Sequence, residues 1–548
     1  MQRDRLSYFI LTIAAFLAVL PLIVMGCSCG HDFTFHLLNW LEAARNFSHG
    51  NLHPQWAFTP AFNAGEPRFI FYPPVSWTIG GILTLLFPFA WTPIIYTWLA
   101  LSAAGLSFHH LARTFTTPAA ALLGATFYLA NPYMLFTAYE RTAYAELLAA
   151  ACLPLMLHAI LRLRVTIPRI AVPVAILWLT NAPAAVMSSY TLALLTLVRL
   201  FTDRGPSSQK GRLHLAGTAI LGTLLGLGLS AYYLIPAAYE RRYVQINMAI
   251  LPGMRIADNF LFHHTGSTPD DLLHDAVLQT ASIVAALLLT ATLVVLLRLR
   301  TTTTANNRAL IIPLALLTVT IALLLTPLSA PLWNYLPEFR FLQFPWRLLA
   351  ILAAVLSFSL ALMLDGARLP HTMAAPISLV LVSILVYPSY KVFHQPCDEA
   401  DTPTFRAHFF QSKSGDEPTD EYTPITADND SLAHLNPPYW LKPDPSAPGP
   451  ADSETGPAPT DLTLNSPISQ YLILNLRDYP TWRITRNQSP IPRPQFLPRE
   501  DGLIAVPVPA GRSTFHITAK PMPDQILGTS VSLVSLLILI GTTIRRSP

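Results

Sequence analysis

Apolar residues run along this chain in long stretches separated by short, arginine-bearing polar breaks, and most stretches have the roughly 20-residue length that a helix needs to cross a bilayer. They predict spans near residues 6–26, 94–112, 118–136, 143–161, 168–181, 183–200, 213–236, 276–298, 309–327, 347–365, 372–388 and 526–544. The stretch 75–89 is apolar but short and lies between Pro73-Pro74 and Pro88/Pro93, so it reads as a surface or re-entrant helix. The runs flanking Asn181 and Pro183 are short for full spans, and a broken pair there requires protein packed around it.

Charge then assigns sides. Arg3 and Arg5, Arg113, Arg162/Arg164/Arg169, the connection from Arg199 to Arg212, Arg298/Arg300/Arg308, Arg368 and Arg545-Arg546 all fall on one side of such a topology, the cytoplasmic one. The expectation is a bacterial inner-membrane protein with both termini cytoplasmic. Its domains are 1–390, a transmembrane domain of about 11 spans with a first outer loop at 27–93; 391–525, an extracytoplasmic β-rich domain; and 526–548, a final span with its tail. A composition of 52% apolar and 12% charged residues over 548 positions excludes an ordinary soluble domain. The net charge of +4 gives no support to nucleic-acid binding.

The outer domain carries short strand-like runs at 471–476, 482–485, 503–508 and 513–518, separated by Pro, Gly and Asn, which predict a small β-sandwich. Residues 414–462, dense in Pro and acidic side chains, read as partly disordered. Trp482, Tyr479, Tyr439 and Trp440 are candidates for stacking on an acceptor sugar, with the sandwich core the expected place for Trp482. Of four cysteines, Cys27, Cys29 and Cys397 fall outside, so one disulfide can join the first loop to the last domain, its pairing open. Cys152 sits in an apolar run as a small buried hydrophobe. Val24-Met25-Gly26-Cys27 resembles a lipoprotein cleavage box, but cutting there would detach the first span.

The candidate chemistry begins at Gly30-His31-Asp32-Phe33-Thr34-Phe35-His36, directly after the first span, because an ionisable group at a membrane boundary is costly and reads as functional by default. An amphipathic stretch at 35–47 follows, expected along the interface. Later outer loops add Glu140-Arg141 with Glu146, Glu240-Arg241-Arg242, Asp258, His263-His264, and Arg340 with Gln343 and Arg347. Moving a sugar off a polyprenyl phosphate needs a carboxylate that deprotonates or orients the acceptor hydroxyl. It also needs cations on the phosphate and a lateral opening for the isoprenoid tail. Asp32 suits the first role; Arg141, Arg241, Arg242 and Arg347 suit the second. Bland counterparts stand beside these: Asp32 as a helix cap, Glu140-Arg141 as a structural ion pair, and His263-His264 as loop residues. Whether a divalent metal ion binds at Asp32, His263 or His264 is open.

The motifs also carry a resemblance. Gly30-His31-Asp32 with Phe35-His36, the run from Asn63-Ala64-Gly65-Glu66-Pro67-Arg68 to Tyr72-Pro73-Pro74, Tyr139-Glu140-Arg141 with Ala145-Glu146, Ala231-Tyr232-Tyr233 with Glu240, and Gln343-Phe344-Pro345-Trp346-Arg347 together resemble a bacterial membrane family called 6-pyruvoyl-tetrahydropterin-synthase-related. No pterin chemistry is visible. The resemblance covers most of residues 1–390, and that family is similar to the GT-C superfamily of lipid-linked-sugar glycosyltransferases. Tyr479-Pro480-Thr481-Trp482-Arg483, Asp501-Gly502-Leu503 and Val508-Pro509-Ala510-Gly511 resemble the tail of YfhO-type proteins.

What the resemblance implies is a polytopic α-helical, GT-C-like membrane protein with a C-terminal extracytoplasmic β-sandwich-like domain. It would transfer a sugar from a polyprenyl-phosphate donor to a cell-envelope glycan, lipid or protein acceptor. Asp32 would be the catalytic base and Glu140 a second acid, with His31, His36, Arg68, Tyr72, Arg141, Glu146, Glu240, Arg241, Arg242 and Arg347 around the substrates. One acid stands where an Asp-x-Asp pair would signal a metal, which leaves metal dependence open. The alternative is a non-catalytic protein for lipid-linked glycan assembly or translocation. A secondary transporter fits less well, since symmetric halves are not evident.

Overall fold

The computed structural model describes residues 2–202, 209–262, 269–302, 307–367, 369–450 and 454–544. His263, His264, Arg368, Arg545 and Arg546 lie outside the described residues. The protein is a multi-pass, mainly helical membrane protein with a β-rich region before its last helix. Among the described residues ten helices are long and apolar enough to cross a membrane, or eleven if one bent pair counts as a span.

The expected twelve are reduced for local reasons. The run at 168–181 forms a helix of only 14 residues, Ile167–Thr180, which ends where Asn181 turns extended and its side chain accepts from the Ala184 N–H at 2.9 Å to start the next helix. The run at 309–327 forms Arg308–Leu324 and then bends by 95° into Pro327–Tyr335, because Pro327 has no N–H to continue the first helix. The run at 213–236 divides at Ser230 into Gln209–Leu229 and Ala231–Glu240. Pro74–Leu86 is a short apolar helix of 13 residues.

The interior belongs to the helices from 118 to 161 and to Leu349–Asp365, which are apolar all round and therefore buried all round. Small residues let them touch: a Cβ on Gly124 would meet the Cβ of Ala361 at 2.8 Å. The helix Phe33–Ser48, expected to lie along the interface, packs one face, which includes Phe33, His36, Leu37, Trp40 and Ala44, inside the protein. Its Glu42 is fully buried and accepts from the backbone N–H groups of Phe58 (3.1 Å) and Thr59 (2.6 Å) and from Arg45 (2.6 Å). This carboxylate folds the first loop back over the helix.

Seven strands build two antiparallel sheets: β1 Tyr439–Lys442, β2 Asp461–Ser466, β3 Gln470–Arg477, β4 Trp482–Arg486, β5 Ser489–Pro490, β6 Leu503–Val508 and β7 Gly511–Ala519. One sheet has the order β1-β3-β6 and the other β2-β7-β4-β5. Strand β3 is buried on both faces from Leu472 onward, hence its consecutive Leu472-Ile473-Leu474 with only Asn475 before Leu476. Leu472, Leu474 and Leu476 pack into the cluster that holds Trp482, Ile484, Phe515 and Ile517 of the other sheet, whereas Ile473 packs with Ala61 and Ala64 of the first loop. The Arg477 N–H donates to the Ala64 carbonyl at 3.1 Å.

Two expectations are corrected here. Residues 414–462 were expected to be partly disordered, but among the described ones they hold β1, the start of β2 and a helical turn. Tyr479 and Trp440 are buried, so they cannot stack on a sugar, and Trp482 is buried in the sandwich core as expected; Tyr439 is at the surface.

A disulfide between Cys29 and Cys397 ties the first loop to the segment that follows the helix His371–Phe393, while Cys27 and Cys152 are free thiols. Denatured protein should therefore take up two maleimide groups without reductant and four with it, read by mass spectrometry. Four without reductant would show the bond absent.

Candidate active site

Asp32 sits at the position that would cap the helix Phe33–Ser48, yet its side chain makes no capping hydrogen bond. The carboxylate turns instead into a cavity of about 630 Å³. Local backbone contacts hold it there. A Cβ at Gly30 would lie 2.0 Å from the Glu140 carbonyl oxygen, so only glycine permits this approach. The Asp32 N–H donates to the Arg141 carbonyl at 3.0 Å.

The carboxylate of Asp32 meets His31 Nδ1 at 2.8 Å and Arg141 Nη2 at 3.7 Å. Burial by itself raises its pKa, but the hydrogen bond from His31 and the charges of Arg141, His31 and His36 outweigh that and hold it below the usual carboxylate range. Asp32 is thus ionised throughout the physiological range. The same hydrogen bond raises His31, whereas burial lowers His36 to about 4 and keeps it neutral.

Behind Asp32 lies a buried charge network. Glu146 accepts from Tyr133 Oη at 2.6 Å and Arg141 Nη1 at 2.7 Å, and lies 3.3 Å from Arg347 Nε. Arg347 also donates to the Leu342 carbonyl at 2.8 Å, and both guanidinium groups approach the Phe344 ring. Glu146 therefore acts as the anchor that places two arginines beside the cavity. At the rim, Arg241 faces Glu338 at 3.4 Å, both half-exposed. The cavity lining mixes polar side chains, among them His31, Asp32, His36, Tyr72, Glu146 and Arg347, with apolar ones, among them Trp178, Pro183, Val186, Leu234 and Ala237.

Other sequence candidates lie elsewhere. Glu140 is turned away from the cavity and hydrogen-bonds with Gln395, so Glu146 is the second carboxylate next to Asp32. Arg68 is buried in a structural cluster, donating to Glu66 (2.6 Å), Asn39 (3.0 Å) and Thr419 (2.7 Å). Arg242 folds back over the Tyr239 ring. Glu240 lies at the junction with the last helix, accepting from Tyr479 Oη and Gln525 Nε2, each at 2.8 Å. Among the described residues no group of three His, Cys, Asp or Glu side chains is arranged to hold a metal ion.

The cavity also contains residues that sequence reading missed. Trp178 and Asn181 come from the helix break, where a polar residue between apolar runs was the available signal. Thr419, Glu421 and Tyr422 come from the Pro-rich stretch, where no signal marked them.

Burial pushes Glu240 up to about 7, with the neighbouring Asp524 adding to the effect and the hydrogen bonds from Gln525 and Tyr479 opposing it. A carboxyl whose folded pKa is raised keeps a proton that the unfolded chain releases. Stability from this group is full below about pH 4.5 and is lost as pH rises through about 7. Thermal unfolding in detergent should show this decline, about 3 kcal/mol in all, and Glu240→Gln should flatten it. A wild-type profile level across that window would contradict the assignment.

No protein-family model matches the chain, nor does any curated protein. Among solved structures, the mycobacterial arabinofuranosyltransferase AftD, determined by single-particle cryo-electron microscopy, aligns with a TM-score of 0.44 and 14% sequence identity. The alignment covers 93% of this chain and 40% of that one, so the chain spans less than half the length of AftD.

Proposed function

We propose that this protein is an integral-membrane glycosyltransferase of GT-C type that transfers a sugar from a polyprenyl-phosphate donor to a cell-envelope glycan, lipid or protein on the outer face. The observation that carries the reading is a cavity lined both by the ionised Asp32, Glu146 and Arg347 and by apolar side chains, with Arg141 paired to Asp32 and Glu146. An amphiphile with a phosphate-linked sugar at one end and an isoprenoid at the other suits such a cavity.

In the reaction, the acceptor hydroxyl oxygen forms a bond to the anomeric carbon while the bond from that carbon to the phosphate oxygen breaks. The electron pair leaves with the phosphate, and Arg347 and Arg141 balance the charge that develops there. Arg347 lines the cavity, with its Nε on the Glu146 side at 3.3 Å and its Nη1 on the Leu342 carbonyl at 2.8 Å. Asp32 takes the hydroxyl proton. With its pKa held low it is a weak base toward a free hydroxyl, so proton transfer accompanies C–O bond formation, when the hydroxyl becomes acidic.

Mass spectrometry of lipids retained through purification tests the donor class. Polyprenyl-phosphate sugars are expected, and a preparation from sugar-lipid-replete membranes that retains none and consumes none after reconstitution would overturn the reading.

A further inference from the structure

The outer domain reaches the cavity through one short turn. Residues 413–424 run back over the first loop, and backbone contacts pin them: Phe62 N–H donates to the Asp416 carbonyl and Asp416 N–H to the Thr59 carbonyl, each at 2.9 Å. Thr419 N–H donates to Glu66 at 3.0 Å, and Arg68 donates to Thr419 Oγ1 at 2.7 Å. Beyond the turn, Gln245 N–H donates to the Thr423 carbonyl at 2.9 Å. The helical turn Asp420–Tyr422 is therefore fixed, with the Tyr422 ring stacked on Phe71 at 5.7 Å.

Charge sets Glu421 apart from the other acids of the cavity. Asp32 is met by Arg141 and His31, Glu146 by Arg141 and Arg347, and Glu338 by Arg241. Glu421 lines the same cavity with no cation at ion-pair distance among the described residues. Burial raises its carboxyl; a hydrogen bond from its own backbone N–H and the charge of Arg68, already engaged by Glu66, oppose this, while Glu66 and Asp420 add to it. A carboxyl group at a cavity wall with no cation beside it is costly in the empty protein, and a ligand that offsets the cost must bring donors. Neighbouring hydroxyls of a sugar do so, since a carboxyl group accepts two hydrogen bonds side by side. An anionic phosphate does not, so Glu421 faces sugar hydroxyls and not the phosphate, and acceptor KM against donor KM tells which sugar it meets.

We propose that Glu421 is a specificity-determining residue that hydrogen-bonds the hydroxyls of the acceptor sugar, so that the outer domain recognises the acceptor through residues 419–422. The proposal rests on the glycosyl-transfer reading for the word acceptor, and on cavity geometry for sugar binding itself.

The test uses the full chain in nanodiscs and a panel of methyl hexopyranosides and methyl pentofuranosides, with binding read by saturation-transfer NMR and transfer read separately. At least one glycoside should bind the wild type, with affinity lowered roughly tenfold or more by Glu421→Ala and less by the isosteric Glu421→Gln. In transfer assays the same variants should raise acceptor KM while leaving donor KM unchanged and kcat within a few-fold. No glycoside bound by the wild type, equal binding by wild type and a folded Glu421→Ala or Glu421→Gln protein, or an effect confined to donor KM would overturn it. Failure of the transfer reading looks different: transfer would persist in Asp32→Asn or lipid-linked sugar would be absent, with glycoside binding still dependent on Glu421.

Discussion

Asp32→Asn should lower sugar transfer by about a thousandfold, within the range that a positioned general base contributes, while leaving the protein folded and inserted. The substitution keeps the size of the side chain and removes the carboxylate charge. Little structural loss is expected, because Asp32 caps no helix and is 29% exposed in the cavity. Arg141 keeps its shorter contact to Glu146 at 2.7 Å, so the arginine wall stays in place. The loss should therefore appear in kcat, with donor binding close to wild type. Transfer at near wild-type rate by purified Asp32→Asn protein would remove Asp32 from the chemistry and favour a non-catalytic role in handling lipid-linked glycans.

Arg68→Ala should have the largest effect on stability, lowering the unfolding free energy by about 3–5 kcal/mol, the cost of removing one partner from a buried ion pair. Glu66 is fully buried and would keep only its backbone donor from Thr419 after losing the 2.6 Å contact to Arg68 Nε. The guanidinium also joins Asn39, on the helix behind Asp32, to Thr419 of the segment that precedes the β-rich region, so its loss frees the turn that carries Glu421. Trypsin cleavage after the exposed Lys413 should accelerate along with the fall in melting temperature. Arg68→Lys should not rescue, since one ammonium cannot make three divergent contacts. An unchanged melting temperature in Arg68→Ala would show that the cluster does not hold the two regions together.

Periodicity and composition by themselves determined the layers of this protein. Apolar runs longer than about 18 residues cannot be accommodated in water, and they mark most of the long helices. Alternating and fully apolar short runs marked β3, β4, β6 and β7, because their side chains face a sheet interior. The boundary position of Asp32 was also legible, since a carboxylate at the end of an apolar run has few inexpensive explanations.

Only the tertiary structure decided which charges meet. Glu140 and Glu146 are close in sequence, yet Glu140 turns toward Gln395 while Glu146, on the face of its helix that meets the Pro345 turn, gathers Arg141 and Arg347. Arg68 resembles a phosphate ligand until Glu66, Asn39 and Thr419 are seen to use its donors. Strands β1 and β2 were hidden in a Pro-rich acidic stretch because their pairing is supplied by β3 and β7, a long-range term that local composition does not contain. Thr419, Glu421 and Tyr422 join the cavity for the same reason: the contacts that pin their turn come from Gln245 and from first-loop residues more than 300 positions earlier, and sequence spacing says nothing about such closure.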